Sequence, residues 1–257
     1  MGGENLSSTL TPPPDPHGLA AREYNEKRLH PRPEDPDYLA MADLCKGLEQ
    51  ARPSGVLRVL DYGAGGSPYR SLFPGADYKR ADCVELPGLD YVFGADEKIR
   101  EQDGAFDLIL STQVLEHVRH PQLYLREAHR LLQPGGRILV STHGLFEEHG
   151  APVDYRRWTL EGLFAELEDA GFRRGRGWKL TVGPRALLFW LLRHVWAGRP
   201  SWKSGFGLGW NLLRGWLLRN SPWIHRCADR HFGQYAVVPG DRETSPIYIG
   251  VLAEGLK

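Results

Sequence analysis

Short apolar runs alternate with amphipathic segments through the middle of the chain. The apolar runs have the length of buried strands, and they cover residues 56–60, 78–83, 90–93, 106–110, 137–141, 178–182 and 247–253. The amphipathic segments have helical spacing, and they cover residues 36–52, 121–132 and 159–170. Strands that alternate with helices are typical of a parallel sheet with helices on both faces. The pattern therefore predicts an α/β fold with seven strands.

The chain divides into three parts by composition. Residues 1–37 contain seven of the 19 prolines and few core-forming side chains, which predicts a flexible tail that leads into a cap. Residues 38–182 and 246–257 contain the predicted strands and form one domain. Between these two ranges, residues 183–245 form an insertion before the last strand. The insertion is too long for an ordinary loop, and we expect it to be helical.

Charge and tryptophan are unevenly distributed, although 32 Lys and Arg balance 32 Asp and Glu. All eight tryptophans lie between Trp158 and Trp223. Residues 173–230 contain twelve Lys and Arg against one acid, Asp229, which gives this segment a formal charge of +11 and the rest of the chain −11. A chain with no net charge is not expected to bind nucleic acid, because its acidic part would repel the phosphates.

Cysteine usage and the apolar runs bear on localisation. Cys45, Cys83 and Cys227 are widely spaced and form no CxxC motif, which favours a reducing cytosol over a disulfide framework or a zinc site. The first twenty residues lack the apolar stretch of a signal peptide. The longest apolar run, residues 186–192, ends at Arg193 and is far shorter than the roughly 20 residues of a membrane span. We predict a cytoplasmic protein, with peripheral membrane contact left open.

A glycine-rich turn follows the first predicted strand, in the sequence VLDYGAGGS of residues 59–67. Glycines at such a turn let the backbone approach a ligand closely. A dinucleotide-binding GxGxxG motif does not fit, because Pro68 stands where the third glycine should be. Asp61, two residues before Gly63, suits a ligand with a positive charge. Asp82 ends the second strand, nineteen residues past Gly63, where a carboxylate can accept hydrogen bonds from both hydroxyls of a ribose.

Four stretches in this order and spacing resemble the class I S-adenosylmethionine-dependent methyltransferases, specifically the type 11 subgroup. They are VLDYGAGGSPYRSLFP (59–74), YKRAD (78–82), FDLILSTQVLEHVRHP (106–121) and LLQPGGRILVST (131–142). The resemblance covers about residues 40–182. It implies a Rossmann-like, seven-stranded methyltransferase sheet with helices on both faces, a helical insertion before the last strand, and S-adenosylmethionine as the cofactor.

The resemblance also implies cofactor-binding roles by position. Asp61, Gly63 and Gly65 would line the methionine end, Asp82 would hold the ribose, Asp96 would lie beside the adenine, and Ser111 to Gln113 would pass near the sulfonium. Two positions depart from the family pattern. The sequence has GADE at residues 94–97 where GDAE is common, and Ser67 stands where a third glycine is usual.

The loop after the fifth strand contains the candidate acceptor-side residues, in the motif HGxPxDYxRWT of residues 149–159. The motif resembles a methyltransferase subgroup associated with glycan and surface-polysaccharide biosynthesis. His149 is the first candidate for a general base, His143 the second and His117 the third, and Tyr155 and Arg157 are candidates for acceptor binding. The alternatives are structural: His117 in a hydrogen bond, and Asp154 in an ion pair with Arg156 or Arg157. We predict no metal site, with His143, His149 and Asp154 as an alternative set of ligands.

These observations predict a methyltransferase that modifies an oxygen of a sugar or a glycolipid-type acceptor. The alternatives are a tailoring methyltransferase that acts on O, N or S of a small natural-product-like molecule, and a binding protein that keeps the fold without turnover. Three interpretations of the Trp-rich insertion stay open: a helical lid on the acceptor side, a pair of helices resting on an anionic membrane, or an aromatic wall of the acceptor site. The acceptor is a small molecule or a lipid-linked glycan, and the sequence does not predict the oligomeric state.

Overall fold

A computed structural model describes residues 25–55, 57–94, 96–150, 153–197, 205–241 and 247–257. Within these ranges the chain forms one sheet of eight strands in the order β3-β2-β1-β4-β5-β8-β6-β7. The strands are β1 (Arg58–Tyr62), β2 (Asp77–Asp82), β3 (Tyr91–Val92), β4 (Phe106–Thr112), β5 (Leu132–His143), β6 (Arg173–Val182), β7 (Val237–Pro239) and β8 (Tyr248–Leu256). All seven predicted strands are present, so the α/β expectation is confirmed.

The sheet is mixed, whereas the alternation of strands and helices predicts a parallel one. Strands β1 to β5 pair in parallel. Strand β8 inserts between β5 and β6 and is antiparallel to both, and β7 is antiparallel to β6. A fully buried apolar run gives no signal of strand direction. The eighth strand, β7, is three residues long and lies inside the predicted insertion, which is why the pattern of apolar runs misses it.

Helices cover both faces of the sheet, as expected. The helices are α1 (Tyr38–Ala51), α2 (Pro121–Leu131), α3 (Leu160–Asp169), α4 (Pro184–Ala197) and α5 (Gly205–Phe232). On one face, α1 packs on an apolar cluster that contains residues of β1, β4, β5 and β8. On the other face, α2 and α3 pack on a second cluster. Thr159 caps α3 as predicted, because its side chain accepts a hydrogen bond from the Gly162 N–H.

The glycine-rich turn is followed by one 3-10 turn, Arg70–Leu72, and not by an α-helix. Phe73, the residue before Pro74, has φ −120° and ψ 62°, outside the helical region. A proline disfavours helical conformations at the residue before it, so a helix does not continue past Leu72. The chain between β1 and β2 is therefore a compact loop.

The predicted insertion contains the helices α4 and α5 as well as the strand β7, and a buried ion-pair network attaches it to the rest of the chain. Arg185 at the start of α4 is fully buried. Its Nε and Nη2 donate hydrogen bonds of 2.7 Å to the two carboxylate oxygens of Asp43 in α1, and Nη2 also lies 2.8 Å from Oδ1 of Asp229 in α5. The one acid of the basic segment thus faces inward.

Candidate active site

The glycine-rich loop is fixed to the end of the neighbouring strand. The N–H groups of Gly63 and Ala64 each donate to the carbonyl oxygen of Ala81, at 2.9 Å. The Gly65 N–H donates to Oδ2 of Asp82, at 2.8 Å. The structure therefore brings together the loop and the carboxylate that the sequence proposes for the methionine and ribose parts of the cofactor.

Gly63 lies at the point where the strand order reverses between β1 and β4, which is the ligand-binding crevice of open α/β sheets. Its φ is +79°, and a Cβ at this position would lie 2.5 Å from Cγ1 of Val114 in the loop after β4. No residue with a side chain fits there without a shift of the second loop. Ser67, which replaces the usual third glycine, also adopts a left-handed φ of 55°, and its hydroxyl accepts a hydrogen bond of 2.8 Å from Arg80 Nε.

Asp61 is buried beneath the loop, where the Tyr78 hydroxyl donates to its Oδ2 at 2.8 Å. Burial raises the pKa of Asp61 to about 7, against the opposing effect of the hydrogen bonds from Tyr78 and Ser67. A positive charge beside this carboxyl would favour its ionised form. The environment of Asp61 is thus suited to a cationic ligand.

The acids at the proposed adenine end differ in exposure. Asp96 is exposed, and its Oδ1 lies 3.3 Å from the Lys98 N–H, which donates to it. Its neighbour Glu97 is half-buried, and burial together with the charge of Asp96 raises the pKa of Glu97 to about 7. Glu97 is therefore a second acid at this position that the sequence comparison does not single out.

The two predicted residues at the end of β4, Ser111 within the strand and Gln113 just after it, have different environments. Ser111 is fully buried, and its hydroxyl accepts a hydrogen bond of 2.9 Å from Tyr124 in the core. Gln113 adopts a left-handed φ of 54° at the end of the strand, and its side-chain oxygen accepts a hydrogen bond from Arg28. Of the two side chains, that of Gln113 lies in the crevice.

Residues 25–29 form a helical turn over the glycine-rich loop that the sequence does not predict. Asn25 Nδ2 donates to the Gly66 carbonyl oxygen at 2.8 Å, and Arg28 reaches Gln113 across the crevice. The segment belongs to the range predicted as a proline-rich tail. Residues 1–24 lie outside the described residues.

Three histidines meet at the carboxyl edge of the sheet. The ring of His149 lies 5.0 Å from the rings of both His117 and His143, measured between centroids. His143 is buried, which lowers its pKa to about 3, and burial also lowers the pKa of His149. His149 Nδ1 lies 3.0 Å from Oδ2 of Asp154. The Nδ1 of His117 lies 2.8 Å from the Val153 carbonyl oxygen.

Arg157 and Asp154 build the loop that carries His149. The guanidinium of Arg157 donates to both carboxylate oxygens of Asp154, at 2.5 Å each, and to the carbonyl oxygens of Phe146 and Glu147. These bonds hold the pKa of the Asp154 carboxyl below its usual range. This arrangement is the ion pair with an arginine that the sequence offers as the alternative role of Asp154. Tyr155, the other candidate for acceptor binding, is 43% exposed.

Glu116 is a site residue that the sequence analysis misses. Its side chain is fully buried, and Oε2 accepts a hydrogen bond of 2.8 Å from Thr142, while Oε1 lies 3.2 Å from His143 Nε2. The residue stands inside the motif LEHV, which could have drawn attention to it, but its burial depends on the packing of β5 against this loop. Glu116, His143 and His149 could together hold a metal ion, since one ligand atom from each lies within 4.8 Å of the others.

Comparison with known proteins gives methyltransferase relatives and structural neighbours of similar fold. A methyltransferase-domain family profile matches residues 25–174, more than half of the chain. A ubiquinone biosynthesis O-methyltransferase from Ruegeria pomeroyi is 35% identical over 150 residues, which cover 50% of this chain and 57% of the relative. Another from a Ruegeria species is 33% identical over 197 residues, which cover 59% of this chain and 79% of the relative.

The solved structures agree in fold. A SAM-dependent methyltransferase from Thermotoga maritima superposes with a TM-score of 0.54 at 18% identity, covering 92% of this chain and 96% of that one. The family profile spans both the glycine-rich loop and the histidine cluster. The chain therefore belongs to the methyltransferase-domain family, as a class I methyltransferase whose cofactor is S-adenosylmethionine.

Proposed function

We propose that the protein transfers a methyl group to a hydroxyl oxygen of a small-molecule acceptor. The observation that carries this proposal is the histidine cluster at the carboxyl edge of the sheet, because an oxygen nucleophile must lose a proton whereas the methyl transfer itself needs mainly orientation. The family profile and the O-methyltransferase relatives support the same reaction. The chain spans 57% of the first of these relatives, so its own activity is a proposal.

Different residues of the chain have different proposed roles in binding the cofactor. When bound, S-adenosylmethionine supplies an activated methyl group, which the acceptor oxygen displaces in line as the carbon–sulfur bond breaks. Asp61, buried beneath the glycine-rich loop, would interact with the positively charged end of the cofactor, and Asp82 orders the loop through Gly65 and would offer acceptor oxygens to the ribose. The turn at residues 25–29 is joined to the loop by the hydrogen bond from Asn25 to the Gly66 carbonyl oxygen.

The geometry favours His117 as the residue that takes the acceptor proton, ahead of the two histidines that rank first by sequence. Nδ1 of His117 donates to the Val153 carbonyl oxygen, so the proton is on that nitrogen and Nε2 carries the lone pair of the neutral ring. His143 is buried, and its pKa of about 3 makes it a weak base. Nδ1 of His149 lies beside the Asp154 carboxylate, and the ring of His149 contacts the rings of both His117 and His143.

The acceptor is proposed to be a hydroxylated ring. Phe146 stacks on His143 with ring centroids 4.1 Å apart and contacts Phe189 of α4 at 5.9 Å, so aromatic rings pack behind the histidine cluster on this side. The relatives are named for ubiquinone biosynthesis, which favours a phenolic ring. A sugar or glycolipid-type acceptor, suggested by the loop of residues 149–159, is the second candidate.

An acceptor panel with a labelled methyl donor tests the proposal. The full chain would be incubated with methyl-labelled S-adenosylmethionine and either catechol-type or sugar-type acceptors, and the products analysed by mass spectrometry. We expect a methyl ether, formed with catechol-type acceptors in preference to sugars. Preferential sugar methylation would replace the first candidate with the second. Transfer only to nitrogen or sulfur would contradict O-methylation, and cofactor binding without transfer would favour a binding protein.

We also propose peripheral membrane contact through one face of α5. Residues spaced by four, three, four, three and four positions share a face of a helix, and here they are Leu212, Trp216, Arg219, Trp223, Arg226 and Arg230. We refer to them as the α5 outer face. Leu212 is 68% exposed, Trp216 53% and Trp223 59%. Trp and Leu combined with Arg are typical of helices that rest on anionic lipid. No helix in the described ranges has the length and apolar character needed to cross a bilayer.

Vesicle flotation tests the membrane contact. Trp216→Ser combined with Trp223→Ser should weaken partitioning onto phosphatidylglycerol-containing vesicles roughly tenfold, because each indole loses apolar burial. Leu123→Ser on α2, which removes another exposed apolar side chain (46% exposed), is the matched control and should have no effect. Two results would contradict the proposal. One is wild-type protein that remains in the buffer fraction when the anionic vesicles float, and the other is a Leu123 variant that loses vesicle binding as strongly as the Trp variant does.

A further inference from the structure

Glu116, His143 and His149 form a cluster of metal-ligating side chains around one point. Glu116 lies in the turn after β4, His143 ends β5, and His149 lies in the following loop. One ligand atom from each lies within 4.8 Å of the other two. We propose that these three residues bind a first-row transition-metal ion, with zinc as the test ion.

The buried carboxylate is the strongest indication of a missing ligand. Glu116 is fully buried, and Thr142 donates to its Oε2. Its Oε1 has no hydrogen-bond donor in adequate geometry among the described residues, although His143 Nε2 is 3.2 Å away. An unsatisfied carboxylate oxygen in the interior is costly. A cation at this position would satisfy it.

Two side chains of the cluster keep a buried polar atom without a hydrogen bond. Asp154 lies 3.0 Å from Nδ1 of His149, and it is itself held by Arg157 and by the His149 N–H. The contact with Asp154 lacks hydrogen-bond geometry, so Nδ1 of His149, like Oε1 of Glu116, has no hydrogen-bond partner among the described residues. A bound cation would satisfy such atoms.

The donor set selects the class of ion. Two imidazoles and one carboxylate suit zinc or iron(II) and leave coordination positions open, whereas magnesium and calcium prefer oxygen ligands alone. The three residues differ from the alternative set in the sequence analysis, because Glu116 takes the place of Asp154. Arg28 and Arg157 place positive charge near the cluster, which weakens cation binding. Asp154 offsets the charge of Arg157.

The open side of the cluster faces the acceptor region. His149 keeps a third of its side-chain surface exposed (33%), whereas Glu116 and His143 are enclosed. An ion held here would bind the acceptor hydroxyl and acidify it. This role rests on the proposed function, but the binding of the ion does not.

Metal titration of the untagged full chain tests the site directly. After treatment with a chelator, we expect about one equivalent of zinc per chain by calorimetry and by metal analysis. Glu116→Gln and His143→Gln should each lower the zinc affinity at least about tenfold, since a direct ligand should matter no less than an outer partner. His129→Gln, a half-buried histidine on α2, is the matched control and should bind zinc as the wild type does.

The outcomes separate the site from the proposed function. Wild-type protein should bind cobalt with the absorption spectrum of a site that has three protein ligands, and His149→Ala should lose this spectrum. Because this variant removes a partly exposed ring, it tests the site even if the variants at buried positions do not fold. Wild-type protein that binds no stoichiometric zinc, or ligand variants that bind it unchanged, would overturn the inference. Zinc binding without binding of S-adenosylhomocysteine would leave the metal site standing and remove the proposed function.

Discussion

Replacing His117 by Gln is expected to lower kcat by about 10²–10⁴-fold, the usual contribution of a general base. Glutamine keeps the size and a donor for the Val153 carbonyl, which His117 now contacts through Nδ1, but it cannot take a proton. The loss should appear in turnover and not in the affinity for S-adenosylhomocysteine, because the proposed cofactor site lies at the loops after β1 and β2.

His120→Gln is the matched control, because His120 is an exposed histidine three residues farther along the same segment. It should leave kcat unchanged. Equal turnover of the His117 variant and the wild type would exclude His117 as the base. His149, which faces Asp154 at 3.0 Å, would then return to the first place that the sequence gives it.

Asp82→Ala is expected to weaken binding of S-adenosylhomocysteine by about 1–3 kcal/mol, as the loss of hydrogen bonds to a charged group does, which corresponds to roughly 5- to 150-fold in Kd. The substitution removes the acceptors of the Gly65 N–H at 2.8 Å and the Val84 N–H at 3.1 Å, so the loop loses order as well as its proposed ribose contact.

Asp77→Ala at the opposite end of β2 is the control for Asp82. Asp77 is 58% exposed and pairs with Arg58 and Lys79 at 3.6 Å each, contacts that contribute little at a surface. Its substitution should leave cofactor affinity unchanged. Similar losses in both variants would indicate a general effect on β2 and would remove the specific role of Asp82.

Much of the fold can be predicted from the sequence because the core strands are buried on both faces. Such strands are continuous apolar runs, and Val59, Leu60, Leu108 and Ile109 are all fully buried. The direction of β8 cannot be predicted in this way, because it depends on which neighbours pair with the strand. The three residues of β7 have no pattern of their own.

The positions of the residues proposed for the cofactor are predictable for a local reason, whereas those of Glu116 and Arg28 are not. Gly63, Gly65 and Asp82 lie at strand ends, where backbone geometry and position along the chain determine what they contact. Glu116 and Arg28 acquire their places through long-range packing. The contact of Arg28 with Gln113 joins residues 85 positions apart.

Arg157 shows the converse case, in which a candidate for acceptor binding has structural contacts. An arginine in a polar loop suggests an anion-binding site, and this one donates to Asp154 and to two backbone carbonyl oxygens. The sequence alone leaves the ion pair as an alternative, because the pair depends on the position of Asp154 in the folded loop. Acceptor binding by Arg157 stays a prediction.

We predict that the crevice between β1 and β4 binds S-adenosylmethionine. Calorimetric titration of S-adenosylhomocysteine into the full wild-type chain tests this prediction most directly. We predict saturable binding at one site per chain, weakened in Asp82→Ala and unchanged in Asp77→Ala. An absence of binding at high micromolar ligand, with a folded protein, would contradict the account.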